Sequence, residues 1–110
     1  MARKWTSFHS DTTNAELSVI PQPHRAALYA AMSAYAQDLP IRYVVKPYGD
    51  GLMMIKASNG TAGRCLFFHD SESGALICVA VLFYKKESDE VPQRILSTAK
   101  ARMNEYRARQ

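Results

Sequence analysis

The sequence predicts an α+β domain: N-terminal helices, then an antiparallel β-sheet, then a C-terminal helix packed on that sheet. Apolar and alanine residues recur at helical spacing between positions 23 and 38. β-prone runs follow between positions 52 and 84, separated by short polar turns, as antiparallel neighbours require. Finally, Ile95, Ala99, Met103 and Tyr106 form one apolar helical face. With 110 residues, 47% of them hydrophobic, the chain is expected to be a single domain, 1–110, with a core that needs no staples.

Residues 3 to 8 suit a short first strand. Asn14-Ala15-Glu16-Leu17 reads as the start of a short helix with Asn14 as its cap, stopped before Pro21. Pro23 suits the first turn of a second helix, in which Leu28, Met32 and Tyr35 share a face with alanines beside them. That helix ends near Asp38-Leu39-Pro40. Residues 41 to 46 are β-prone, and Gly49-Asp50-Gly51 is a turn. Strands are expected over 52 to 57, 64 to 69 and 75 to 84. The last is apolar at both parities, so both of its faces should be covered. The final helix runs from about 92 to 107, with Arg94, Lys100, Arg102, Arg107 and Arg109 off the apolar stripe.

A formal charge of +4 permits a polyanionic partner without requiring one. Cys65 and Cys78 lie inside apolar strand-like runs, the usual place for reduced, structural thiols. No Cys-rich zinc pattern is present, and no metal or cofactor is expected. The start, Met1-Ala2-Arg3-Lys4-Trp5, has no signal-like apolar stretch, and no run is long enough to span a bilayer. The expectation is a cytoplasmic protein with no membrane partner.

The 75–84 run ends in Phe83-Tyr84-Lys85-Lys86 before the acidic Glu87-Ser88-Asp89-Glu90. Taken alone, a lysine pair there is a solvated strand end. Held at a sheet edge, it could also fix a phosphate. Strand alternation is expected to turn Met53 and Ile55 toward the core helix, leaving Met54 and Lys56 on the opposite face. By the same parity argument, Lys56, Arg64 and Lys86 converge on one concave face, with Lys85 at its edge. Arg64, beginning its strand, is expected to be partly exposed.

In order, Lys46, Gly51-Leu52-Met53-Met54-Ile55-Lys56, Gly63-Arg64-Cys65-Leu66-Phe67-Phe68, Leu82-Phe83-Tyr84-Lys85-Lys86 and Pro92 with Ala99 make a recognisable set. The chain resembles the RelE/HigB superfamily of toxin–antitoxin ribonucleases, especially its phage-derived branch, over roughly residues 40 to 106. The resemblance implies a RelE-like, microbial-ribonuclease-like fold. It also implies metal-free cleavage of mRNA on the ribosome, by attack of the ribose 2′-OH on the adjacent phosphate, with a helix-turn-helix antitoxin as the neutralising partner.

Such a reaction requires the phosphate to be positioned, its developing charge neutralised and protons moved. The resemblance makes Lys56, Arg64 and Lys86 the catalytic candidates: Arg64 binding the scissile phosphate and Lys86 stabilising the leaving side. Lys46, Tyr84 and Lys85 are the substrate-binding candidates. The chain also departs from the branch. Met54 stands where a polar residue is usual, and Lys56 lacks the bidentate fork of the usual arginine. Val91-Pro92 occupies a region where relatives place a catalytic tyrosine or histidine. Lys56, Tyr84 and His69 remain the proton-transfer candidates. Two other functions stay open: a ParE-like gyrase-inhibiting toxin without nuclease activity, and a non-catalytic phage or plasmid accessory protein that binds nucleic acid or protein.

Overall fold

The computed structural model describes residues 3–40, 43–58, 62–83 and 91–109. In chain order the elements are β1 (Trp5–Ser7), α1 (Ser10–Ser18), α2 (Gln22–Ala36), β2 (Tyr43–Pro47), β3 (Met53–Ala57), β4 (Gly63–His69), β5 (Leu76–Phe83) and α3 (Gln93–Ala108). The class is α+β, with two helices before the main sheet strands and one after them.

The sheet has the order β1-β5-β4-β3-β2. Strands β2 to β5 form the antiparallel meander expected from their short turns. To this antiparallel meander β1 adds one parallel neighbour, running alongside β5 with Trp5 opposite Leu76 and Ser7 opposite Cys78. The apolar β5 thereby sits inside the sheet, between β1 and β4, where more of its backbone is paired. Trp5 anchors this arrangement by donating from Nε1 to the Met32 carbonyl of α2 at 2.7 Å and stacking edge-on against Phe67.

Both sheet faces are covered. On one, Ile55, Cys65, Phe67, Leu76 and Cys78 pack with Leu28 and Ala31 of α2. On the other, Met54, Leu66, Phe68, Val79 and Leu82 pack with Leu96, Ala99 and Met103 of α3. Ile95 and Tyr106 flank this second core. A register shift falls between Leu66 and Phe67 of β4 where it pairs with β5.

The expected cap of α1 is also corrected. Asn14 is exposed inside the helix, which begins four residues earlier at Ser10 with His9 as its N-cap. The Thr13 N–H donates to the His9 carbonyl at 2.9 Å, and Asp11 in the first turn complements the positive helix end. The earlier start seats α1 on β5. Between β2 and β3, Gly49, Asp50 and Gly51 all have positive φ, at 90°, 59° and 92°, so two of the three turn positions are glycine for conformational reasons. No helix among the described residues is long and apolar enough to cross a membrane.

Candidate functional site

The strand register decides which cations share a face. Lys46 lies opposite Met54, and Lys56 opposite Val44. Continuing the β3–β4 register one step past Ile55 and Cys65 sets Lys56 opposite Arg64, and Arg64 lies opposite Leu82 on β5. Directly opposed residues of antiparallel strands project to the same side. Lys46, Lys56 and Arg64 therefore belong to the face that carries Met54, Leu66 and Leu82, the face that α3 covers.

Cover is uneven across that face. Helix α3 lies over β5 and β4. Lys46 and Lys56, further out on β2 and β3, are half-buried, and Val44 beside them is exposed. Arg64 is a correction to expectation: it is 3% exposed, not a partly open strand start. Strand-start position alone predicted exposure, but β4 lies inside the sheet, between β3 and β5. Its Nη1 lies 3.4 Å from the Gly63 carbonyl, and neither Arg64 nor Lys56 is without further partners. Such pairing is what a buried charge requires.

Lys46 Nζ sits 5.4 Å from the centre of the Tyr48 ring. The Tyr48 hydroxyl accepts the Val91 N–H at 3.1 Å, just before Pro92 caps α3. The segment leading into α3 is thus tied to the end of β2. Met54 is fully buried in the core beneath α3. Tyr84, Lys85 and Lys86 lie outside the described residues. The last described residue of β5, Phe83, faces Gly63, the neighbour of Arg64.

His69 is not brought to these cations. It lies five residues from Arg64 along β4, a run of roughly 17 Å. Its Nε2 is 2.8 Å from the Tyr35 hydroxyl of α2, within a cluster that includes Phe67 and Tyr43. Partial burial, aided by the charge of Arg3, lowers the His69 pKa below its usual value. Burial likewise raises that of Tyr35. The other histidines have structural contacts: His24 Nδ1 accepts the Ala62 N–H at 3.2 Å, and His9 Nε2 lies 3.4 Å from Glu105.

The basic residues of α3 are largely held by the protein. Arg107 stacks on Phe68, and Arg109 pairs with Glu105 while lying over Phe8. Arg102 pairs with Glu16. Sequence reading missed this last pair, because nothing local marks Glu16 or Arg102 as partners. No protein-family model matches the chain, and no curated protein is found to be similar to it.

Proposed function

We propose that this chain is a RelE/HigB-like toxin endoribonuclease that cleaves mRNA, on the ribosome, and is neutralised by a helix-turn-helix antitoxin. The observation that carries the reading is the placement of Lys46, Lys56 and Arg64 on one sheet face, with β5 ending opposite Gly63 beside them. The order of elements, with helices before the antiparallel strands and a helix after them, also agrees with the resemblance. On this reading Arg64 and Lys56 balance the charge that develops on phosphate as the 2′-OH attacks. Lys46 holds a neighbouring phosphate. Lys86 acts on the leaving side, with Lys85 and Tyr84 contacting RNA. Preorganised cations of this kind act chiefly by transition-state stabilisation.

Induced expression followed by mapping of cellular mRNA 5′ ends tests the reading. New ends that disappear in Lys56→Ala and Arg64→Ala proteins, both shown to be folded, are expected. Unchanged mRNA ends with soluble protein would overturn it. The burial of Arg64 and the apolar Met54 favour one alternative, a non-catalytic accessory protein that binds nucleic acid. That alternative gives RNA retention without new ends.

A further inference from the structure

The described residues contain a cleft of about 520 Å³ on the side of the molecule away from Lys56 and Arg64. Its walls come from β1, α1 and α2, including Trp5, Leu17, Met32 and Ser33, and Cys78 lies in its lining. Cys78 is 3% exposed, so it meets the cleft through a narrow opening. Directly behind it is Cys65, fully buried, with the two sulfur atoms 3.2 Å apart. Both thiols are free. They lie on adjacent antiparallel strands, diagonally across the register shift beside Phe67.

We propose that Cys78 and Cys65 form a two-thiol oxidation site, reached by small peroxides through this cleft and closing to a Cys65–Cys78 disulfide. The cleft sets the order of events, because only Cys78 lines it. The Cys78 sulfur attacks one peroxide oxygen; the O–O bond breaks, water leaves, and Cys78 becomes a sulfenic acid. The Cys65 sulfur then attacks the Cys78 sulfur; the S–S bond forms, the S–O bond breaks, and a second water carries off the remaining thiol proton. Two thiols and one hydrogen peroxide give one disulfide and two waters. The thiols lose two electrons and the peroxide gains them.

Access assigns the roles, because Cys78 lines the cleft and Cys65 does not. Cys65 donates its S–H to the Cys78 sulfur at 3.2 Å, and Cys78 donates its own to the Ala80 carbonyl. Burial, reinforced by Cys78 itself, pushes the Cys65 thiol well above its usual pKa, so it is held as the protonated partner. Cys78 is then the attacking sulfur and Cys65 the resolving one. This site is independent of the cationic face and of any RNA chemistry there.

The test uses the full chain, reduced and desalted, then exposed to hydrogen peroxide, unfolded, alkylated and weighed intact. The expected result is loss of both alkylatable thiols together, with the monomer mass lower by two hydrogens and restored by dithiothreitol. In Cys65→Ser or Cys65→Ala the Cys78 sulfenic acid should instead persist and be trapped by dimedone. Ser33→Trp, at the cleft wall, should slow the paired loss. Thiols that stay alkylatable at peroxide levels that oxidise the guanidine-unfolded chain would overturn the proposal. So would loss of one thiol at a time, or oxidation of Cys65 in Cys78→Ser at the wild-type rate.

Discussion

Glu16 and Arg102, 86 residues apart in sequence, together finish the strand edge that β1 leaves incomplete. Strand β1 pairs with β5 only as far as Cys78, whose carbonyl accepts the Phe8 N–H. Beyond it, Glu16 Oε1 accepts the Val81 N–H at 3.0 Å, and Arg102 Nη1 donates to the Val79 carbonyl at 2.7 Å. The two side chains meet each other at 3.2 Å. They act as a substitute strand that ties α1 and α3 to the same stretch of β5.

Glu16→Ala should therefore destabilise the fold by about 1–3 kcal/mol, because it leaves the Val81 N–H and the Arg102 guanidinium short of acceptors. Glu16→Gln keeps an acceptor for Val81 and should cost less. Urea denaturation midpoints of the two variants check this. Equal midpoints for Glu16→Ala and wild type would show that water replaces the carboxylate without loss.

A second tie joins α3 to the β4–β5 turn. Asp70 is 6% exposed and accepts hydrogen bonds from the Tyr106 hydroxyl at 2.8 Å, the Ser73 hydroxyl at 2.7 Å and the Glu72 N–H at 3.2 Å. Tyr106→Phe removes one donor and leaves the ring packed against Phe8 and Phe68. The expected loss is about 1.5–3 kcal/mol, as for a hydrogen bond to a charged group. Thermal melts should show the variant unfolding earlier while its circular dichroism below the transition matches wild type.

The meander and the last helix were legible because they are local. Turn residues fix the antiparallel pairings, and the Ala99/Met103 stripe fixes the face that α3 buries. The joint face of Lys56 and Arg64 was legible too, since parity along a strand is a sequence property. The parallel seat of β1 was not, because it depends on Trp5 meeting Met32 and Phe67 across the sheet. Nor was the burial of Arg64, whose strand lies inside the sheet rather than at its edge. The N-cap of α1 was misplaced because the polar segment from Ser10 to Asn14 carries no apolar period to mark where the helix begins. The cysteine pair was visible only as two apolar-run thiols; the register shift that brings them together is a tertiary property.

Arg64→Ala separates catalysis from stability. On the nuclease reading, cleavage should fall on the order of a hundredfold to a thousandfold, as when a transition-state charge contact is lost. Because Arg64 is buried and engaged, the variant should also lose about 2 kcal/mol of stability. Arg64→Lys keeps the charge without the fork and should lie between the two in activity. Single-turnover cleavage measured at a temperature where all three proteins are folded checks the first effect, and urea titration the second. Full activity in a folded Arg64→Ala protein would remove this residue from the site.

The His69–Tyr35 contact makes stability depend on pH in a defined direction. A neutral imidazole presents a bare Nε2 to accept the Tyr35 hydroxyl. Protonation removes that acceptor and places a positive charge near Arg3. Partial burial first, then Arg3, holds the folded pKa of His69 below 6.5. Between that lowered value and 6.5 the unfolded chain binds more protons than the folded one. The contribution is thus fully present above 6.5 and is lost as pH falls to the folded pKa. Tyr35 behaves oppositely: burial raises its pKa above 10.0, so its contribution is lost as pH rises through the folded value. Urea midpoints of wild type should therefore fall more steeply from about pH 7.5 to pH 5 than those of His69→Gln. Parallel curves for the two proteins over that range would show that His69 titrates alike in the folded and unfolded chains, and that its contact with Tyr35 is indifferent to charge.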